Sequence, residues 1–203
     1  TAVTFTISDC TDRPYVFISE SVIAPAASDS GWQSCVTNAS AITYTLVGPV
    51  LQSSHTLYIY AKDAVGNVSA ATTASMIYDT TNPTLSLTTS LGLLYKGGDT
   101  VGLSFSASDI NGLSTFKIYY TTDGTTYSPV VTLATSATTY TWTVPASNTA
   151  TAKLKFEAID NATTANSTIV YSDAFTVDST APSAPTLTRT SAAYSSSTSV
   201  TMT

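Results

Sequence analysis

Charge is scarce in this chain. Of its 203 residues only 10% are Asp, Glu, Lys or Arg, and it has one histidine, His55, two cysteines and two glutamates, Glu20 and Glu157. Seven basic residues against thirteen acidic ones give a formal charge of −6, which leaves no basic stripe to neutralise phosphates and excludes nucleic acid as a partner. One histidine cannot serve as base in two repeated sites, and neither glutamate has a partner at a repeated position, so the chain is expected to be non-catalytic. No apolar run approaches the roughly 20 residues of a membrane span, and the amino terminus lacks a charged-then-apolar leader. Helix-forming composition and a 3.6-residue apolar period are also missing. What remains is 43% hydrophobic residues with Ser and Thr as about a third of the chain, a mixture that suits β-structure.

The strongest pattern present is an internal repeat. The stretch from Leu57, reading LYIYAKDAVGNVS, is echoed by LKFEAIDNATTANS from Leu154, an offset of 97 residues. The closing segments from Asp79 to Pro83 and from Asp178 to Pro182 are offset by 99. A period of one small domain, ending each time in an Asp/Thr/Pro linker, predicts domains strung in line. The divisions expected are residues 1–79, residues 82–179, and residues 182–203 as the opening of a further repeat or a donor strand.

Period-two alternation places the strands. In the first domain they are expected at Val3–Ile7, Tyr15–Ser19, Ile42–Leu46 and His55–Asp63, with a last one reaching Tyr78 and a long irregular excursion over 20–31. The second domain has the same grammar: Pro83–Leu87, then strands carrying Phe105, Ile118 and Tyr120. An Asp123-Gly124 hairpin signal follows. Tyr127–Leu133, Tyr140–Val144, Leu154–Ile159 and Ile169–Val177 complete seven or eight strands, the number of a β-sandwich. The fold class is therefore all-β, as tandem immunoglobulin-like sandwiches.

Cys10 and Cys35 have no counterpart in the second repeat and are expected to form a local disulfide. Closing a loop of about 25 residues would stabilise the fold by roughly 3.5 kcal/mol and implies an oxidising compartment. A metal pair or a reactive thiol is the competing reading, for which His55 supplies neither a second ligand nor an evident base.

Residues Ala61 to Asn67, AKDAVGN, followed by Asp79-Thr80-Thr81-Asn82-Pro83, resemble the end of the bacterial immunoglobulin-like repeats of large surface adhesins. Tyr119 to Gly124 and Tyr140 to Pro145 are similar to the middle strands of those repeats and of fibronectin type III domains. The resemblance implies an extracellular or cell-surface stalk or fibre segment, with neighbouring repeats as partners in the same chain or in head-to-tail copies. It also implies calcium at the joints, for which Asp63, Asn67, Asp79, Asp160 and Asp178 are the candidate ligands. The other reading of these aspartates is that each caps its own turn. The 161–166 loop lacks the Gly-Asn turn of its counterpart, which puts that turn's role in question there. Tyr58, Tyr60, Tyr119, Tyr127 and Trp32 are candidates for a face that binds a glycan or surface protein, as in a binding module of an extracellular enzyme, against ordinary sheet packing with wet hydroxyls.

Phe105 to Asp109 aligns with Phe5 to Asp9 at an offset of 100, and Val200 to Thr203 aligns with Val101 to Ser104 at 99. Two expectations follow. Either the chain is a window on a longer array, or its tail, through Leu187, Val200 and Met202, donates a strand to the next copy and builds a filament.

Overall fold

The computed structural model describes residues 2–7, 10–35, 40–47, 52 and 54–188; Val200 and Met202 lie outside them. Among these residues there are strands and no helix. The first six strands are β1 (Ala2–Ile7), β2 (Tyr15–Ser19), β3 (Gln33–Ser34), β4 (Ser40–Thr45), β5 (Ser54–Lys62) and β6 (Thr72–Ile77). Then come β7 (Thr84–Leu87), β8 (Leu94–Tyr95), β9 (Thr100–Ser108), β10 (Leu113–Thr121), β11 (Ser128–Leu133), β12 (Thr139–Thr143), β13 (Thr149–Asp160), β14 (Ser167–Tyr171) and β15 (Phe175–Val177).

The strands up to β6 pair only among themselves, as do those from β7 onward. In the first unit a sheet ordered β3-β2-β5-β6 lies across the core from the β1–β4 pair. In the second, β12-β9-β7 lies across from β11-β10-β13-β15-β8, and β14 joins β13 as well. All pairings are antiparallel except β8 with β15. This is a sandwich of two sheets, each burying one face.

Alternation explains the core. Phe116 and Ile118 of β10 and Leu154, Phe156 and Ala158 of β13 are all almost completely buried, two residues apart along each strand. Phe105 stacks on Phe116 with ring centroids 4.5 Å apart, and Trp142 packs against Tyr120 and Phe175. The first unit has a smaller core of Val16, Ile18, Ile42, Leu46 and Leu57 around a Cys10–Cys35 disulfide with a Cα–Cα separation of 5.5 Å.

Three features differ from the strand pattern in the sequence. The stretch 169–177 is split: Ser172 donates its amide to Leu154 O, and its hydroxyl accepts the Leu154 amide at 2.9 Å, ending β14 and restarting the chain as β15. Ser69 makes the same pair of bonds with Ala61 in the first unit. Second, Tyr60 is buried, and its hydroxyl donates to Val22 O at 2.7 Å instead of meeting water. The excursion over 20–31 is strapped across that face of the sheet, also taking Lys62 Nζ at Ala27 O and Trp32 Nε1 at Ala26 O. Third, β3 and β8 are strands of two residues, too short to show a period. Leu187 lies in irregular chain and is 66% exposed.

Candidate metal centre

The linker between the units runs from the end of β6 to the start of β7, and Asp79 stands in it. Asp109 follows β9, and Asp160 is the last residue of β13. Their carboxylates converge, each offering an oxygen within 4.8 Å of the others.

Each carboxylate is oriented by local bonds that the backbone makes available. Asp79 Oδ1 accepts the Thr81 amide at 3.0 Å and the side-chain amide of Gln52 from the first unit. Gln52 Oε1 in turn accepts Asn111 Nδ2 of the second unit at 3.1 Å, so one glutamine links linker and second unit. Asp109 Oδ1 accepts the Asn111 amide at 2.8 Å. Asp160 is 1% exposed; its Oδ1 accepts the amides of Ala162 and Asn166, and its Oδ2 accepts Asn166 Nδ2 at 2.6 Å. Asp79 Oδ2 is buried with no hydrogen-bond partner.

That last atom is the informative one. A buried carboxylate oxygen without a donor is costly, and crowding two further carboxylates beside it adds repulsion. The Thr81 amide, followed by the side-chain amides of Asn111 and Gln52, nonetheless holds Asp79 below the ordinary carboxylate range against desolvation. An oxygen-only donor set of this kind fits a hard divalent cation, with calcium, which takes six to eight oxygens, the best match. Asp79, Asp109 and Asp160 are the residues that would hold it.

Of the candidates drawn from the sequence, the structure brings together Asp79 and Asp160 and adds Asp109. The signal for Asp109 was the alignment of Phe105–Asp109 with Phe5–Asp9. Asp63, Asn67 and Asp178 lie outside the group. Asp63 accepts the amides of Val65 and Asn67 and the Asn67 side chain at 2.7 Å, the same arrangement that Asp160 has with Asn166. Asn166 thus replaces Asn67 despite the missing Gly-Asn turn. Asp178 accepts the Thr180 amide as Asp79 accepts that of Thr81.

The aromatic candidates are partly engaged elsewhere. Lys155 Nζ lies 3.8 Å from the Tyr119 ring centroid, and the Tyr119 hydroxyl donates to Glu157 at 2.7 Å. Trp32 packs edge-on against Phe17 with Lys62 over its ring. His55 Nδ1 is 2.7 Å from Glu20 Oε1, and the other Glu20 oxygen accepts the Val47 amide, so this pair fastens β5 to the chain after β2.

Paired antiparallel sheets of this topology define a protein of the immunoglobulin-like and fibronectin type III-like sandwich class. No family model matches the chain, and no curated protein matches it. Among solved structures it is similar to the fibronectin(III)-like modules of Clostridium thermocellum CbhA, at 14% identity and a TM-score of 0.53, covering 88% of this chain and 86% of that one. At that identity the likeness establishes the fold alone.

Proposed function

We propose that this chain is a non-catalytic structural segment of an exported bacterial surface fibre or adhesin, in which successive sandwich domains are held in line by a divalent cation at each joint. The observation that carries the reading is the convergence of the Asp79, Asp109 and Asp160 carboxylates, each with an oxygen within 4.8 Å of the others, where Asp79 also keeps a buried oxygen, Oδ2, without a hydrogen-bond partner. Asp63 and Asp178 repeat the turn bonds of Asp160 and Asp79, as an array with a cation at each joint would require. The Cys10–Cys35 disulfide fits an extracellular location.

A carbohydrate- or protein-binding module of an extracellular enzyme has less behind it. The Tyr119 and Trp32 rings, which a sugar would stack on, already carry lysines.

Calorimetric titration with calcium, with thermal melting and small-angle scattering in calcium and in chelator, tests the joint. Calcium at about 100 times its Kd should add about 2.7 kcal/mol of stability and narrow the distribution of inter-domain angles. Asp109→Asn should weaken binding at least tenfold. If chelator leaves both melting and scattering unchanged, the aspartates are turn residues and nothing more.

A further inference from the structure

The turn that carries Asp109 also carries a reactive pair. Asn111-Gly112 is the one Asn-Gly step in the sequence; the other asparagines precede Ala39, Val68, Pro83, Thr149, Ala162 and Ser167. The carboxamide of an asparagine is open to attack by the backbone nitrogen of the next residue, and a side chain on that residue hinders the approach. Glycine has none. Gly112 has a φ of 90°, in the region that favours glycine, and even a Cβ built there would meet only Asn161 Nδ2, at 3.6 Å, so nothing crowds the residue.

The bonds that hold the pair in place are long. Gly112 donates its amide to Asp109 O at 3.2 Å, its carbonyl accepts the Asn161 amide at 3.2 Å, and Asn111 Nδ2 donates to Gln52 Oε1 at 3.1 Å. All three lie at the outer end of the hydrogen-bond range. Asn67 and Asn166 are the contrast: Asp63 and Asp160 hold their side-chain amides at 2.7 and 2.6 Å, and Val68 and Ser167 follow them. Asn111 is only half-buried, so water reaches it.

We propose that Asn111 is a modification site, at which spontaneous deamidation places a fourth carboxylate in the joint. Gly112 N bonds to Asn111 Cγ, the Cγ–Nδ2 bond breaks, and the amide proton of Gly112 leaves with Nδ2 as ammonia, closing a succinimide. Water then opens the ring. Cleavage at Cγ leaves aspartate at position 111, and cleavage at the former backbone carbonyl carbon leaves isoaspartate, which puts an extra methylene into the turn. Water is the only co-reactant.

Position gives the change its effect. Gln52 Oε1 loses the donor that links it to the second unit, and after the Thr81 amide it is the Asn111 side chain that does most to hold Asp79 below the ordinary carboxylate range. A carboxylate at 111 withdraws both and adds its own charge beside Asp79, Asp109 and Asp160, which already converge within 4.8 Å. The same carboxylate offers a hard cation one more oxygen. The modified joint therefore depends on calcium more than the unmodified one, a consequence that rests on the cation reading above.

Incubation of the full chain in mildly alkaline buffer, followed by tryptic mapping over time, measures the conversion. The peptide between Lys96 and Lys117 should gain the mass of amide-to-acid conversion at least tenfold faster than the peptide that carries Asn148, and part of the product should be a substrate for isoaspartate methyltransferase. Asn111→Asp should melt below the wild type in chelator and bind calcium at least threefold more tightly, whereas Asn111→Gln should not drift on storage. Conversion at Asn111 no faster than at Asn148 overturns the proposal, as does an Asn111→Asp variant that melts like the wild type in chelator. If neither form binds calcium, the cation reading alone fails, because the peptide map and the chelator melt decide the modification without the ion.

Discussion

A single carboxylate, that of Asp123, organises the β10–β11 turn. Its Oδ1 accepts the Thr126 and Thr125 amides at 2.7 and 2.8 Å and the hydroxyl of Thr121 at 2.7 Å, and Gly124 follows with a φ of 75° that favours glycine. The Thr126 amide first, then the Thr121 hydroxyl and the Thr125 amide, hold the Asp123 carboxyl far below its ordinary value. A group whose folded pKa is depressed contributes stability that is present above the unfolded value, about 3.9, and lost as the pH falls through the folded one. Carboxyl NMR titration of the wild type should place Asp123 among the most acidic groups of the chain. Thr121, only 1% exposed, also accepts the Asp123 and Gly124 amides through its hydroxyl. Thr121→Val keeps the shape and strips those bonds, so urea denaturation should register a loss of about 1–3 kcal/mol while the Asp123 titration moves up toward the ordinary range. The hairpin was legible in the sequence because Asp-Gly between two alternating runs signals a chain reversal, but the loop spans residues 122–127 instead of the two-residue turn that Asp-Gly most often makes. Asn166 was not legible, because the residue that replaces Asn67 sits two positions later in its loop and only the shared bonds to the preceding aspartate reveal the equivalence.

At the scale of elements, the strap over 20–31 shows how a stretch without period can shape a sheet. Its backbone carbonyls at Val22, Ala26 and Ala27 receive Tyr60, Trp32 and Lys62, so the outer face of β2 and β5 is covered by chain rather than by water. Tyr60→Phe removes one of these bonds and leaves Val22 O without that donor. A destabilisation of about 1 kcal/mol is expected, with faster proteolytic nicking within 20–31; an unchanged nicking rate would mean that the remaining bonds suffice to hold the strap. Sequence pattern located the strands well because burial of one face imposes a period of two, and β2 falls at Tyr15–Ser19 as that period required. Pattern failed where no period exists to be read. Strands β3 and β8 have two residues each, and β8 is held by parallel pairing to β15, a contact across more than eighty residues. The serine wedge at Ser172 failed for another reason: in a chain so rich in serine, one whose hydroxyl replaces a backbone acceptor looks like any other.

For the whole molecule, the two cores decide how it comes apart. Among the described residues the second unit buries thirteen apolar side chains in one cluster, including Trp142, Phe116 and Phe156, and the first unit's cluster has seven, two of which are the disulfide cysteines. Apolar burial is the main favourable term in folding, so the first unit is the weaker and leans on its covalent link. Calorimetry in chelator should therefore show two transitions, the lower belonging to residues up to about Ile77. Reductant should move that transition alone: opening a loop of about 25 residues costs roughly 3.5 kcal/mol, or roughly 15–25 °C for a domain of this size. Calcium should then act in the opposite sense, raising the lower transition toward the upper one. A cation shared by Asp79 of the linker with Asp109 and Asp160 of the second unit would bind the native joint, and Gln52 ties the first unit to the same place. If reductant instead shifts one undivided transition in chelator, the units unfold as a single body through contacts other than the cation, and the joint is not where their coupling resides.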